Sequence, residues 1–190
     1  EFIKENTNGF NKVEKELTPE EKNQQLKEQI ERELAGIDEF DGSKYHTDVT
    51  SLQMEIVLFT AWAKVAKEGL LSNDKELMAL AQKLKDKTSA IQKKEFPKMR
   101  KAYVKMVHQK LWENNINVSH PGSVNSKIMF IGGAYANNKN IKDTQTTLQE
   151  MLSMLRFKQS QYKWSKYDDE YQYYDIDSHP DSFVSERPVK

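Results

Sequence analysis

The sequence predicts an α+β fold in which helices come first and a small sheet comes last. Apolar residues recur at steps of three and four through much of residues 18–113, which is the period of a helix buried along one side. After residue 114 the pattern changes to short alternating stretches, which indicate strands. Because helices and strands are segregated, we expect antiparallel helices followed by a small antiparallel sheet of about four strands in ββαββ order.

The length and composition suit one domain with polar ends. The chain has 190 residues, of which 31% are charged, and this length is enough to bury a core. The polar, Asn-containing start and the acidic end of the chain indicate segments outside that core. We expect a flexible arm (1–17), a single α+β domain (18–176) and an acidic tail (177–190). Within the domain we expect a peripheral helix (18–36), a helical core (48–113) and a ββαββ part (114–176).

The first helix has a clear start signal. Thr18 is the expected N-cap, Pro19 suits the first helical position, and Glu21 is placed to close a capping box. Gly36 is the expected stop. The apolar stripe of this helix is narrow, which indicates weak packing at the periphery.

The stretch Asp48 to Gly69 is the most apolar long segment, and we expect it to be the central helix. Its apolar stripe covers about half of the circumference, which is wider than a surface helix needs. Gly69 is the expected left-handed residue that ends it. Glu55, Lys64 and Lys67 argue against a transmembrane span.

A third helical pattern follows, with Asn73 as the expected N-cap and Glu76 completing its capping box. Pro97 lies inside this pattern, so we expect either a new helix there or one helix kinked at the proline; the kinked helix is the preferred interpretation. Around and beyond Pro97 an apolar row lies opposite a basic row, here named the lysine row. The lysine row consists of Lys94, Lys98, Lys101 and Lys105.

The second half of the chain contains the expected strands. Alternation predicts strands near residues 116–119, 127–131, 157–164 and 170–176, with a helix over about 141–155. Gly132 and Gly133 indicate a bulge or a close approach of the backbone. The last two strands form a predicted hairpin rich in tyrosine and tryptophan, here named the aromatic hairpin (residues 162–175). Its alternation leaves about half of the aromatic side chains outside the core.

Motifs for catalysis or cofactor binding are missing from the sequence. The lack of cysteine excludes disulfides, thiolate metal sites and a cysteine nucleophile. There is no H-E-x-x-H motif, no phosphate-binding loop and no G-x-S-x-G motif. We therefore predict no catalytic residue, no metal ligand and no cofactor, and we expect a protein that is not an enzyme. The four histidines are interpreted as surface or loop residues: His46, His108, His120 and His179.

Charge is distributed unevenly along a chain of zero net charge. Residues 1–47 carry 12 acidic and 7 basic side chains, and residues 167–190 carry 7 acidic and 2 basic ones, whereas the middle is basic. This layout indicates that the acidic ends lie near the basic middle or that each end meets a partner. Nucleic acid is not an expected partner, because the net charge is zero and no nucleic-acid-binding motif accompanies the lysines.

These observations favour a non-enzymatic interaction or structural protein, an accessory subunit with a protein partner. The alternative is a small-ligand or glycan-binding domain that uses the aromatic hairpin. Because the chain starts at Glu1 without methionine, membrane contact is expected only through a preceding N-terminal anchor, and an extracytoplasmic or membrane-tethered location stays open. The candidate partner surface consists of Lys94, Lys98, Lys101, Lys105, Tyr162, Trp164, Tyr171 and Tyr173.

Overall fold

The computed structural model describes residues 16–120, 127–133, 141, 143–144 and 147–164, together with the backbone of 172–175. The expected arm, apart from Glu16 and Leu17, and the expected tail over 177–190 lie outside the described residues. Within them the protein is α+β, as the sequence predicts. The helices are α1 (Pro19–Asp38), α2 (Val49–Leu70), α3 (Lys75–Leu111) and α4 (Gln149–Met154).

The strands form one sheet in the order β1-β2-β3-β4. They are β1 (Ile116–Ser119), β2 (Lys127–Gly132), β3 (Gln159–Lys163) and β4 (Gln172–Asp175). The prediction of an antiparallel sheet is wrong in one respect, since β2 and β3 are parallel, with Phe130 opposite Tyr162. The physical reason is the long connection containing α4, which returns the chain to the starting end of β2; a hairpin cannot do this. The sheet is therefore mixed.

The helix α3 is the centre of the fold. It packs against α1, α2 and β1, and the expected central helix α2 lies to one side of it. Aromatic side chains connect the layers. The ring centroids of Phe59 on α2 and Phe96 on α3 are 5.8 Å apart, and those of Tyr103 on α3 and Phe157 beside the sheet are 6.5 Å apart. A helix of 37 residues is long enough to contact the other helices with one half and the sheet with the other.

A single helix continues through Pro97. Of the two alternatives offered by the sequence, the break into two helices is therefore wrong, and the kink stays a prediction. A proline in a helix lacks the amide that would bond the carbonyl four residues back. The flanking residues Phe96 and Met99 are buried in the core, and their packing holds the helix together across the proline.

The helices begin close to where the sequence predicts, whereas two of the predicted helix ends are wrong. Thr18 and Glu21 form the predicted capping box. The N-cap of α3 is Asp74 rather than Asn73, and its carboxylate accepts from the amides of Glu76 and Leu77.

Gly36 and Gly69 do not end their helices, because α1 runs to Asp38 and α2 to Leu70. Gly69 has a packing role instead. A Cβ at this position would lie 2.6 Å from Cβ of Ala81 and 2.9 Å from Cδ1 of Ile30. Only glycine fits this point, where α1, α2 and α3 converge.

Candidate functional site

The lysine row lies on the exposed face of α3. Its four members are all exposed, while Phe96, Met99, Tyr103 and Val107 on the opposite face are buried. One member has an acidic partner on its own helix: Nζ of Lys98 donates to Oε1 of Glu95 at 3.3 Å. The predicted amphipathic geometry is therefore present, and a partner for the row stays a prediction.

The aromatic hairpin is present as β3 paired antiparallel with β4, with Tyr162 opposite Gln172 and Gln161 opposite Tyr173. Tyr162 is buried, with 5% of its surface exposed, and belongs to the core. Trp164 lies beyond the end of β3 and is 52% exposed. Tyr162 therefore cannot form part of an exposed aromatic patch together with Trp164. Tyr171 and the side chain of Tyr173 lie outside the described part.

A surface that the sequence analysis did not single out lies on α2, and is here named the apolar face of α2. It consists of Met54, Val57 and Ala61, which are all exposed. Met54 is 60% and Val57 63% exposed, on the most apolar helix of the chain. Large aliphatic side chains grouped in this way are typical of contact surfaces.

Two shallow grooves flank this face. One, of about 410 Å³, is lined by Tyr45, Met54 and Leu58 among others. The second, of about 320 Å³, has Phe96 and Met154 in its lining. Val57 and Ala61 line both grooves and form the ridge between them. No acidic residue lines either groove, whereas Lys64 and Arg156 line the second.

A buried cluster of one histidine and two glutamates lies at the junction of the helices. His46 follows the 3-10 turn Gly42–Tyr45 in the connection between α1 and α2, Glu55 lies on α2, and Glu95 lies on α3. Nε2 of His46 is 3.0 Å from Oε2 of Glu55 and 3.6 Å from Oε2 of Glu95. Glu55 is fully buried, Glu95 is 4% exposed, and the side chain of His46 is 17% exposed.

The connection that carries His46 is held by a network of local hydrogen bonds. Oδ1 of Asp48 accepts from the amide of Ser51 at 2.8 Å and caps α2. The Ser51 hydroxyl donates to the carbonyl of Tyr45 at 2.6 Å. Phe40 stacks on Tyr45 with ring centroids 5.7 Å apart. These contacts fix the backbone on both sides of His46.

Burial changes the acid–base properties of this cluster. Loss of solvation, together with the nearby negative charge of Glu95, raises the pKa of Glu55 to about 8. Loss of solvation lowers the pKa of His46, which Glu95 partly offsets. At neutral pH a proton on Glu55 therefore neutralises one of the two carboxylates.

The members of this cluster are far apart in the chain, so no local motif in the sequence predicts it. A signal was nevertheless present, since Glu55 shares the helical face of Leu52, Phe59 and Trp62, all buried. Glu95 likewise falls in step with Gln92 and Met99 on the buried face of α3. An acidic residue inside an apolar stripe indicates a buried carboxylate that needs a partner.

Comparison with known proteins gives no relative. The chain matches no protein-family model, and no significant match was found among curated proteins or among solved structures. Within the described residues, no helix is both long enough and apolar enough to cross a membrane.

Proposed function

We propose that this chain is a non-enzymatic interaction protein, an accessory subunit that binds an acidic amphipathic helix of a protein partner on the apolar face of α2. The observation that carries the proposal is the exposure of Met54 and Val57 on a helix whose opposite face is buried in the core. Burying a side chain of this size against a partner contributes about 1.5–3 kcal/mol. An apolar ridge between two grooves suits the apolar face of a helix.

The charge around the face supports an acidic partner. Lys64 lines one groove, and Lys67 lies one turn further along the exposed side of α2. Lys64, Lys67 and Glu68 are the exposed charged residues of α2, so the lysines leave an excess of one positive charge near this end of the face. A partner helix with acidic residues at the matching end would gain from this field and bind in one orientation.

Photocrosslinking tests the proposal in the cells that make the protein. A benzophenone amino acid at position 57 should crosslink one specific partner, and the same group at the exposed control position Lys83 of α3 should not. The purified partner should then bind the wild-type chain in calorimetry. Val57→Glu should weaken that binding at least tenfold, because it places a buried charge in the contact, and Lys83→Glu should leave it unchanged.

Two outcomes would contradict the proposal. One is equal affinity of the partner for the Val57→Glu variant and the wild-type chain. The other is a crosslink from position 57 to residues 177–190 of the same chain, together with loss of all crosslinking when this segment is removed. That result would identify the chain's own acidic end as the occupant.

The second candidate function is glycan or small-ligand binding at the aromatic hairpin. Its support is Trp164, whose exposed indole is the type of side chain that stacks on sugar rings. Trp112 is 64% exposed and serves as a matched control. A glycan that binds here should quench tryptophan fluorescence in the wild-type chain and in Trp112→Phe but not in Trp164→Phe. A thermal-shift panel of glycans and metabolites without any stabilisation would rule it out.

A further inference from the structure

We propose that His46, Glu55 and Glu95 bind one divalent first-row transition-metal ion, with Zn²⁺ as the best-matched ion. The site joins three parts of the fold: the connection between α1 and α2, the second turn of α2, and the middle of α3. It is independent of the apolar face of α2, and neither proposal depends on the other.

The separations of the donor atoms fit a single ion. Zinc lies about 2.0–2.2 Å from imidazole nitrogen and carboxylate oxygen. Two donors at that distance and at angles between 90° and tetrahedral are therefore about 3.0–3.5 Å apart. The observed separations from Nε2 of His46 are 3.0 Å to Oε2 of Glu55 and 3.6 Å to Oε2 of Glu95. The donor atoms of the three residues all lie within 4.8 Å of one another, so a small rotation of a carboxylate brings all three within reach of one ion.

Unpaired buried oxygens provide a second, independent observation. Oε1 of Glu55 and Oε2 of Glu95 are buried and have no hydrogen-bond partner. A buried polar atom without a partner destabilises the folded state, and more so when it is charged. A cation bound by Glu95 and by both oxygens of Glu55 would give the two unpaired oxygens a partner, and it would replace the proton of Glu55 in offsetting the two carboxylate charges.

The surrounding backbone holds the carboxylate of Glu95 in place. A Cβ built on Gly42 would lie 1.9 Å from Oε2 of Glu95, so the turn passes directly over the carboxylate and only glycine fits there. Lys98 holds the other oxygen, Oε1, at 3.3 Å. Outer contacts of this kind orient a metal ligand and reduce the cost of assembling the site.

The donor set selects the class of ion. Imidazole favours zinc, iron, nickel and copper over calcium and magnesium, and carboxylates are acceptable ligands for zinc. Three protein ligands leave a fourth position for water or a ligand, as in open zinc sites. A cleft of about 530 Å³ is lined by Gly42, Glu95 and Lys98 among others, so it reaches one of the three proposed ligands, Glu95, from the surface.

Zinc titration of the metal-free chain tests the proposal. Calorimetry should give one Zn²⁺ per chain with a Kd in the micromolar range or tighter. Co²⁺ bound at the same site should show the visible absorption bands that are typical of a low coordination number. Glu55→Gln keeps the shape of the protonated side chain, so it should fold normally and weaken zinc binding at least tenfold. His46→Ala should weaken it similarly.

Glu68→Gln is the matched control, because Glu68 is an exposed residue of the same helix. It should bind zinc as the wild-type chain does. The proposal is overturned if the wild-type chain binds no zinc, or if Glu55→Gln retains wild-type affinity. If His46→Ala does not fold, the imidazole NMR signals of the wild-type chain test whether His46 binds the ion. Addition of zinc should shift the signals of His46 and leave those of His108 in place.

Discussion

Gly69 of α2 lies against Ala81 of α3 with no space for a side chain between them. A Cβ on Gly69 would come within 2.6 Å of the Ala81 Cβ. We expect Gly69→Ala to destabilise the protein by about 1–3 kcal/mol, because the two helices must move apart. Urea unfolding followed by circular dichroism measures the change. An unchanged or raised midpoint would show that the helices do not meet this closely.

Gly36→Ala is the control for that substitution and should have the opposite sign. Gly36 lies inside α1, is exposed, and a Cβ there would meet nothing within 4 Å. Alanine in an open helical position is favoured over glycine by about 0.5–1 kcal/mol. We expect a higher urea midpoint with an unchanged slope. If both substitutions destabilise equally, crowding is not the cause at Gly69.

Glu55 should give the metal-free protein a distinctive dependence of stability on pH. Its pKa is about 8 in the folded chain, against an ordinary value of 4.5 for a glutamate side chain. Between pH 4.5 and pH 8 the folded state therefore holds a proton on Glu55 that the unfolded state has lost. The contribution of this proton to the free energy of unfolding is full below pH 4.5 and is lost as the pH rises through 8. The slope is at most about 1.4 kcal/mol per pH unit.

Glu55→Gln should remove that part of the slope, because glutamine stays neutral. We expect the free energy of unfolding of the variant, relative to the wild-type chain, to rise between pH 5 and pH 8 when both carry no metal. Urea unfolding with a chelator at several pH values measures this difference. Parallel curves for the two proteins would contradict the assigned pKa.

Substitution of Trp62 should lower the stability of the fold much more than substitution of the exposed Trp164. It is 1% exposed, and its indole nitrogen donates to Oε2 of Glu33 on α1 at 2.9 Å. Trp62→Phe removes this hydrogen bond and leaves a cavity, with an expected cost of about 2–3 kcal/mol. Trp164→Phe at an exposed position should change stability by about 0.5 kcal/mol or less. Thermal unfolding of both variants tests the contrast, and equal effects would contradict it.

Gly42→Ala should weaken zinc binding without changing a proposed ligand. The new methyl group would overlap the carboxylate of Glu95 and displace it from the cluster. We expect at least a tenfold loss of zinc affinity in calorimetry, while Gly36→Ala retains the wild-type value. Wild-type affinity in Gly42→Ala would show that Glu95 does not need its present position to bind the ion.

Local signals in the sequence predicted much of the helical half. The capping box of Thr18 and Glu21 formed as expected because both partners lie within one turn, where no distant contact competes. Gly69 was misinterpreted for the converse reason. A glycine near a helix end is typical of a stop, and only the neighbouring helices reveal that it is required for close packing.

The sheet and the buried cluster depended on distant contacts. Alternation indicated the strands, but the parallel pairing of β2 with β3 results from where the intervening helix returns the chain. His46 and Glu95 are 49 positions apart, and their spacing in the sequence carries no metal-binding pattern.

The sequence by itself determined the α+β class, the helix starts and the amphipathic faces, because these depend on the identity of residues within a few turns. The tertiary structure alone decided that α3 lies at the centre, that Met54 and Val57 stay exposed, and that one histidine and two glutamates meet in the interior. These features depend on which surfaces the packed helices cover, and that is a property of the whole chain.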